Sequence, residues 1–332
     1  MSWSRDIQPK KEPKMERRST SAAKGAGSVL SGVLPVFQTP FDLNGGVDRE
    51  TLESEFDWLF ENGAHGVVFA MVSEILRLST TERDELAAAA CRLATGRGAC
   101  VISVGAESTF LAVQHARFAQ DVGADAVMAT PPALHRVGDD ALIRHFMEIA
   151  EAVDIPLIVQ DASGYVGAPL SIDIQVRLHR DLGDRCMFKP EAPPIGPRLS
   201  QLMKATDGGA LVFEGTGGLY LIDSFRRGAV GTMPAGDLVW ALSALWDSLV
   251  TGDFPRAYRI AGPLALMVSL QTSLDSFVAI EKYLLVRQGV FTSDRMRGPV
   301  GHGVDKETLE EVERLFELLR DAVDEPVEQS IV

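Results

Sequence analysis

The sequence predicts an α/β protein, a (β/α)8 TIM barrel with a C-terminal helical extension. Eight short apolar runs alternate with longer segments of helical spacing. The runs are almost continuously apolar, as strands of a parallel sheet buried on both faces must be. They begin roughly 18 to 34 residues apart, about the length of a strand, a helix and two loops. Eight such units close into a barrel.

The strands read, in order, as VLPVF (33–37), GVVFA (66–70), CVISVG (100–105), AVMAT (126–130), PLIVQ (156–160), CMFK (186–189), LVFEG (211–215) and AVGTM (229–233). Gly, Pro, Ser or Thr stands within three residues after each run. Between them, Asp48 precedes RETLESEFDWLFENG, which closes on Gly63, and Thr80 or Thr81 precedes ERDELAAAACRLATG. Both are helix-start and helix-stop signals. NGAHGVVFA and VGADAVMAT repeat one Gly-Ala-then-strand phrase 60 residues apart, and RRGAVGTMPA repeats it again. An open doubly wound sheet would carry Gly-x-Gly-x-x-Gly after its first strand, where TPFDLNGG stands.

The expected organisation is a disordered leader over 1–28, the barrel over 29–236 and a helical region over 237–326. The leader is rich in basic residues, Ser, Gly and Pro and lacks a signal-peptide apolar run, and Met15 is an alternative start. After residue 236 four helical stripes follow, around Trp240, Trp246, Leu264, Leu266, Met267, Phe277, Tyr283 and Leu284. They exceed what one barrel wall covers, so some are expected to face another subunit.

In 332 residues, a formal charge of −14 and a pI near 4.9 argue against nucleic acid, which needs clustered Lys and Arg. No apolar stretch reaches the length of a membrane span. Cys91, Cys100 and Cys186 stand singly, as reduced thiols in a cytoplasmic protein do. No H-E-x-x-H, metal-ligand spacing or Gly-x-Ser-x-Gly elbow occurs, so neither metal nor cofactor is expected.

Chemistry in such a barrel sits where strands end. Strand 6 ends in CMFKPEA, setting Lys189 after three apolar residues. Burial there would depress its pKa and free a nucleophilic amine, whereas the plain alternative is a lysine snorkelling at a strand end. Strand 2 ends in AMVSE, with Ser73 and with Glu74 expected to structure the loop through backbone N–H groups. Strand 5 offers Gln160, Asp161, Ser163 and Tyr165, and strand 4 offers Thr130 and His135, the last more simply a solvated loop histidine. Glu191 after strand 6 and Val230 at strand 8 complete the candidate substrate-binding residues with Val72, Ser73 and Tyr165. The glycine cluster EGTGGLYLID (214–223) is a candidate cradle for a carboxylate or phosphate, and more simply a tight turn.

The order VLPVFQTPF, AMVSE and FKPEA resembles the dihydrodipicolinate synthase and N-acetylneuraminate lyase superfamily across about residues 30–322. Thr39, Pro40 and Phe41 match its first segment and Lys189 its Schiff-base lysine. Where the family has G-T-T-G-E, this chain has Ala70, Met71, Val72, Ser73 and Glu74. Its Y-N-x-P is Gln160, Asp161, Ala162 and Ser163, its later arginine is Tyr165, and a further tyrosine is Ala133. True dihydrodipicolinate synthase activity is therefore not expected. The VQDAS and FKPE phrases are most similar to the 2-keto-3-deoxy-L-arabonate dehydratase branch.

The resemblance implies a Lys189 Schiff base with a small 2-keto acid, pyruvate or a 2-keto-3-deoxy sugar acid, followed by dehydration or aldol chemistry. Backbone N–H groups of Val72 and Ser73, with the Ser73 hydroxyl, are expected to bind its carboxylate. Asp161, Ser73, Gln160 and Tyr165 are the candidate proton shuttles, Gln160 only through water because it cannot ionise. The resemblance also implies a homotetramer built from dimers. A neighbour's tyrosine, expected in the loop after strand 3 near Glu107 to Phe110, is missing. The lost hydroxyls motivate a second reading, a decayed enzyme that binds a keto acid or serves as a scaffold. A buried amine is costly to desolvate and gives such a protein nothing.

Overall fold

The computed structural model describes residues 30–134, 136–164, 167–301 and 303–325; the expected leader, His135 and Tyr165 lie outside them. Eight parallel strands follow one another around a barrel: β1 (Gly32–Val33), β2 (Gly66–Phe69), β3 (Ala99–Ser103), β4 (Ala126–Ala129), β5 (Leu157–Asp161), β6 (Cys186–Pro190), β7 (Leu211–Glu214) and β8 (Gly231–Thr232). β8 pairs with β1, and a Val36 to Val68 bridge joins the β1 segment to β2 and closes the ring. Each strand from β2 to β7 falls within two residues of its apolar run, whereas the first and last are cut short. Proline at 35 and 234 removes ladder donors there and shortens β1 and β8 to two residues each. Gly231 lies so close to β1 that a Cβ would sit 2.3 Å from the Gly32 carbonyl oxygen.

Helices α1 (Arg49–Glu61), α2 (Thr80–Ala94), α3 (Thr109–Asp121), α4 (Asp139–Glu151), α5 (Ile172–Leu182), α6 (Ile195–Ala205), α7 (Leu221–Arg226) and α8 (Val239–Thr251) each follow a strand. Asp48 caps α1, its carboxylate accepting the Thr51 N–H at 3.1 Å. The cap of α2 is Ser79 rather than Thr80 or Thr81. Glu82, three residues on, returns a bond to the Ser79 N–H and completes a capping box that the threonines could not.

Beyond α8 run α9 (Phe254–Ser269), α10 (Leu274–Arg287) and α11 (Lys306–Asp324). The apolar stripes of this region do not form an exposed face. Leu264, Met267 and Leu284 are fully buried within the chain, Trp246 and Phe277 nearly so, and of the expected residues only Leu266 is exposed, at 58%. The reason is that α9 packs between α8 and α11, so one helix layer covers the next. No helix among the described residues is long and apolar enough to cross a membrane.

The cysteines are buried free thiols, but two are not isolated. Cys91 on α2 and Cys100 on β3 bring their sulfurs to 3.6 Å, a helix-to-strand contact that sequence spacing cannot show.

Candidate active site

On β6, alternation turns Met187 and Lys189 into the barrel while Cys186 and Phe188 join the helix-facing core. Glu191 follows at the same two-residue spacing. The Lys189 amine and the Glu191 carboxylate meet at 3.0 Å, both almost fully buried. Gln160 is the register partner of Lys189 on β5, and its Nε2 donates to Glu191 at 3.1 and 3.3 Å. Burial pushes the Glu191 carboxyl above the usual carboxylate range, against the pull of Lys189.

These three side chains line a narrow cavity at the strand C-termini, with Val72, Gly215 and Glu281 on its wall. A larger cavity of about 240 Å³ lies between Phe41, Gly45 and Arg297, but it holds no nucleophile and no group that β5 or β6 presents. The barrel mouth is where the chemistry is concentrated. Gly215 is part of why Lys189 fits: a Cβ there would lie 2.8 Å from the Lys189 Cε and from the Glu191 Oε1.

Other expected residues have different surroundings. The Asp161 carboxylate accepts the Ser163 and Leu170 N–H groups at 3.2 and 2.9 Å and lies 3.7 Å from Arg198. The Ser73 hydroxyl is fully buried, donating to the Phe37 carbonyl and accepting the Ala70 N–H, while its own N–H bonds the Ala70 carbonyl. Neither group lines the cavity. Val72 does, in the first turn of a short 3-10 segment (Met71–Ser73), where an N–H lacks an intrahelical partner. Val230 requires correction: it lies just before β8, bonded to Val212 and Gly32, at the end of the barrel away from the mouth. The β8 residues on the cavity are Met233 to Ala235 instead.

Glu74 adopts a left-handed backbone, φ 57°. Its carboxylate meets the Lys282 amine, accepts the Arg297 N–H at 3.0 Å and pairs with Arg77 at 3.2 Å, tying the loop after β2 to α10 and the segment beyond it. The glycine cluster after β7 is occupied from within. Glu214 accepts the Thr216 and Gly218 N–H groups at 2.8 and 3.2 Å and the Thr232 hydroxyl at 2.7 Å, so two of the backbone donors of the turn are taken by the protein itself.

Sequence reasoning missed Glu281. It sits in the apolar stripe of α10, four residues after Phe277 and three before Leu284, and a charge at that phase of a buried stripe was the signal available.

The chain matches the Dihydrodipicolinate synthetase family over residues 29–318. It is 26% identical over 276 residues to L-2-keto-3-deoxyarabonate dehydratase of Azospirillum brasilense, covering 81% of this chain and 88% of that one. It is 29% identical over 251 residues to 4-hydroxy-tetrahydrodipicolinate synthase of Thermomicrobium roseum, covering 74% and 82%. Among solved structures, the 4-hydroxy-tetrahydrodipicolinate synthase of Methylacidiphilum fumariolicum SolV superposes with a TM-score of 0.81 at 23% identity, over 89% of this chain and 97% of that one. With the barrel closed, the lysine at the end of β6 and the match running through nearly all described residues, this chain belongs to the Dihydrodipicolinate synthetase family.

Proposed function

We propose that the protein is a Schiff-base-forming lyase of small 2-keto acids, with 2-keto-3-deoxy sugar acids favoured as substrates. The observation that carries the reading is the Lys189 amine, buried in the barrel mouth 3.0 Å from Glu191. A buried carboxylate whose proton affinity is raised by burial is suited to take the ammonium proton. The freed lone pair then attacks the C2 carbonyl. Glu191 returns that proton to the C2 oxygen and relays a second one to it from the attacking nitrogen, so the oxygen leaves as water as the C=N bond forms. Gln160 holds Glu191 in place for both transfers. The first-turn N–H of Val72, which no intrahelical bond takes up, is the donor we assign to the substrate carboxylate.

The relative named L-2-keto-3-deoxyarabonate dehydratase supports dehydration over aldol chemistry, and the resemblance of the FKPE phrase to that branch agrees. Asp161 is assigned to the loop it ties down rather than to proton transfer. For assembly we propose a homotetramer with a dimer contact beside the loops after β3 and β4. Phe110, Leu111 and Leu134 are 70%, 46% and 85% exposed there, a cluster of apolar side chains that a second copy would cover.

The test is borohydride reduction of the full chain with pyruvate, then intact mass. The expected result is one reduced pyruvyl adduct per chain in the wild type and none in Lys189→Ala of unchanged circular dichroism. No adduct in the wild type overturns the reading.

A further inference from the structure

We propose that Glu281 is a catalytic residue of this site, carrying the proton to and from C3 of the Lys189 imine. The inference rests on the Schiff-base reading above and names the proton carrier that reading needs.

Glu281 is fully buried on α10 and lines the same cavity as Lys189, Gln160 and Glu191. Strand 1, which leads to its partner Gln38, lies three strands around the ring from β6, so the carboxyl approaches the cavity from a side other than that of the amine. One oxygen, Oε2, accepts from the Gln38 amide. The other, Oε1, is buried without a hydrogen-bond partner. A buried polar atom left unpaired is costly, and one in a cavity beside a nucleophile calls for a ligand.

The surroundings decide its protonation state. Gln38, Glu55 and Asp237 are each essentially buried, and the Glu55 Oε1 accepts the Gln38 N–H at 2.8 Å. Burial raises the Glu281 carboxyl well above its ordinary range, and the nearby Asp237 and Glu55 add to this. The adjacent Lys282 opposes the shift, but its amine is engaged by Glu74 and by the Thr39 and Arg295 carbonyls. Burial and these carboxylate neighbours favour the neutral form of the group.

Alternatives among the described residues are engaged elsewhere. Glu191 serves the amine, Gln160 cannot ionise, and Asp161 and Ser73 bond to backbone. In the step itself the nitrogen lone pair of the enamine re-forms C2=N, and the C2=C3 pair takes the Glu281 proton. The C3–H bond forms, the O–H bond breaks, and its electron pair remains on the carboxylate. The reverse step removes a C3 proton to the carboxylate and returns the iminium π pair to nitrogen.

Pyruvate alone tests this, because its methyl protons are the C3 protons. The full chain is incubated with pyruvate in D2O, methyl exchange is followed by NMR, and borohydride trapping is run in parallel. In Glu281→Gln we expect trapping to persist and exchange to fall by about 100-fold or more, the usual contribution of an acid–base group. Wild-type exchange should rise with pH as Glu281 ionises, and the variant should lose that rise. Glu281→Asp should recover part of the rate. Exchange in Glu281→Gln within about threefold of wild type overturns the proposal, since acid–base groups contribute far more. Loss of trapping in a folded Glu281→Gln also overturns it, by placing the residue at the amine. Should Glu281→Gln fail to fold by circular dichroism, Glu281→Asp is read instead: slowed exchange with trapping kept supports the proposal, and unchanged exchange ends it. A wild type that traps no pyruvate defeats the Schiff-base reading first, an outcome distinct from all of these.

Discussion

Gly215 has no side chain in the place where the Lys189 and Glu191 side chains pass. The atoms that a methyl group would meet belong to those two side chains, not to backbone, so they rather than the fold must give way. Gly215→Ala is therefore expected to leave the melting temperature close to wild type. Displacement of the amine by the order of an ångström should lower kcat on the order of 100-fold. Steady-state kinetics beside a thermal melt checks both halves, and normal kcat would show that the amine tolerates the shift. At this scale much was legible in sequence. Lys189 and Glu191 two residues apart on a strand must share a face, and Gln160 one position before a polar break closes its own strand. Asp161 was misleading because a single step along a strand reverses the side chain, and its carboxylate is spent on the loop beyond.

At the scale of elements, α10 is held to the barrel by a charge pair rather than by apolar contact alone. Lys282 and Glu74 are both buried, and Lys282 also lies 4.5 Å from the centre of the Phe41 ring. Removing one member strands the other. Lys282→Met should destabilise the protein by on the order of 3 kcal/mol, with the double variant Glu74→Gln, Lys282→Met recovering part of that loss. Urea midpoints of the two variants measure the difference. A single variant as stable as wild type would mean that Arg77 and the Arg297 N–H satisfy Glu74 unaided. The length and phase of α10 were readable in sequence, but which barrel loop would supply its counterion was not. The two residues are 208 apart, and nothing in local spacing links them.

For the whole molecule, the cluster of Glu55, Asp237 and Glu281 couples stability to pH. Burial raises all three carboxyls, Asp237 from 3.8 to about 7. A group whose folded pKa is raised binds more protons when folded. Its stabilisation is complete below the unfolded pKa and disappears as pH rises through the folded value. Asp237 alone should therefore make stability fall between about pH 4 and pH 7, by up to about 1.4 kcal/mol per pH unit. Asp237→Asn should flatten that slope in denaturant titrations across the window. An unchanged slope would remove Asp237 from the account. The proposed tetramer has its own check: light scattering at micromolar concentration should give four chains, and Phe110→Asp with Leu134→Asp should lower that mass. A monomeric wild type would defeat it.

The sequence by itself determined the barrel, because eight buried runs at strand–helix spacing leave no other closed arrangement of parallel strands. It also determined the lysine and its neighbours on β5 and β6, because a two-residue period assigns faces locally. Tertiary structure alone decided what those faces meet. It covered the C-terminal stripes with other helices, bonded Glu214 into the glycine turn, and brought Gln38, Glu55 and Asp237 together with the cavity-lining Glu281. The physical reason is that burial and charge pairing depend on partners distant in the chain, whereas periodicity depends only on neighbours.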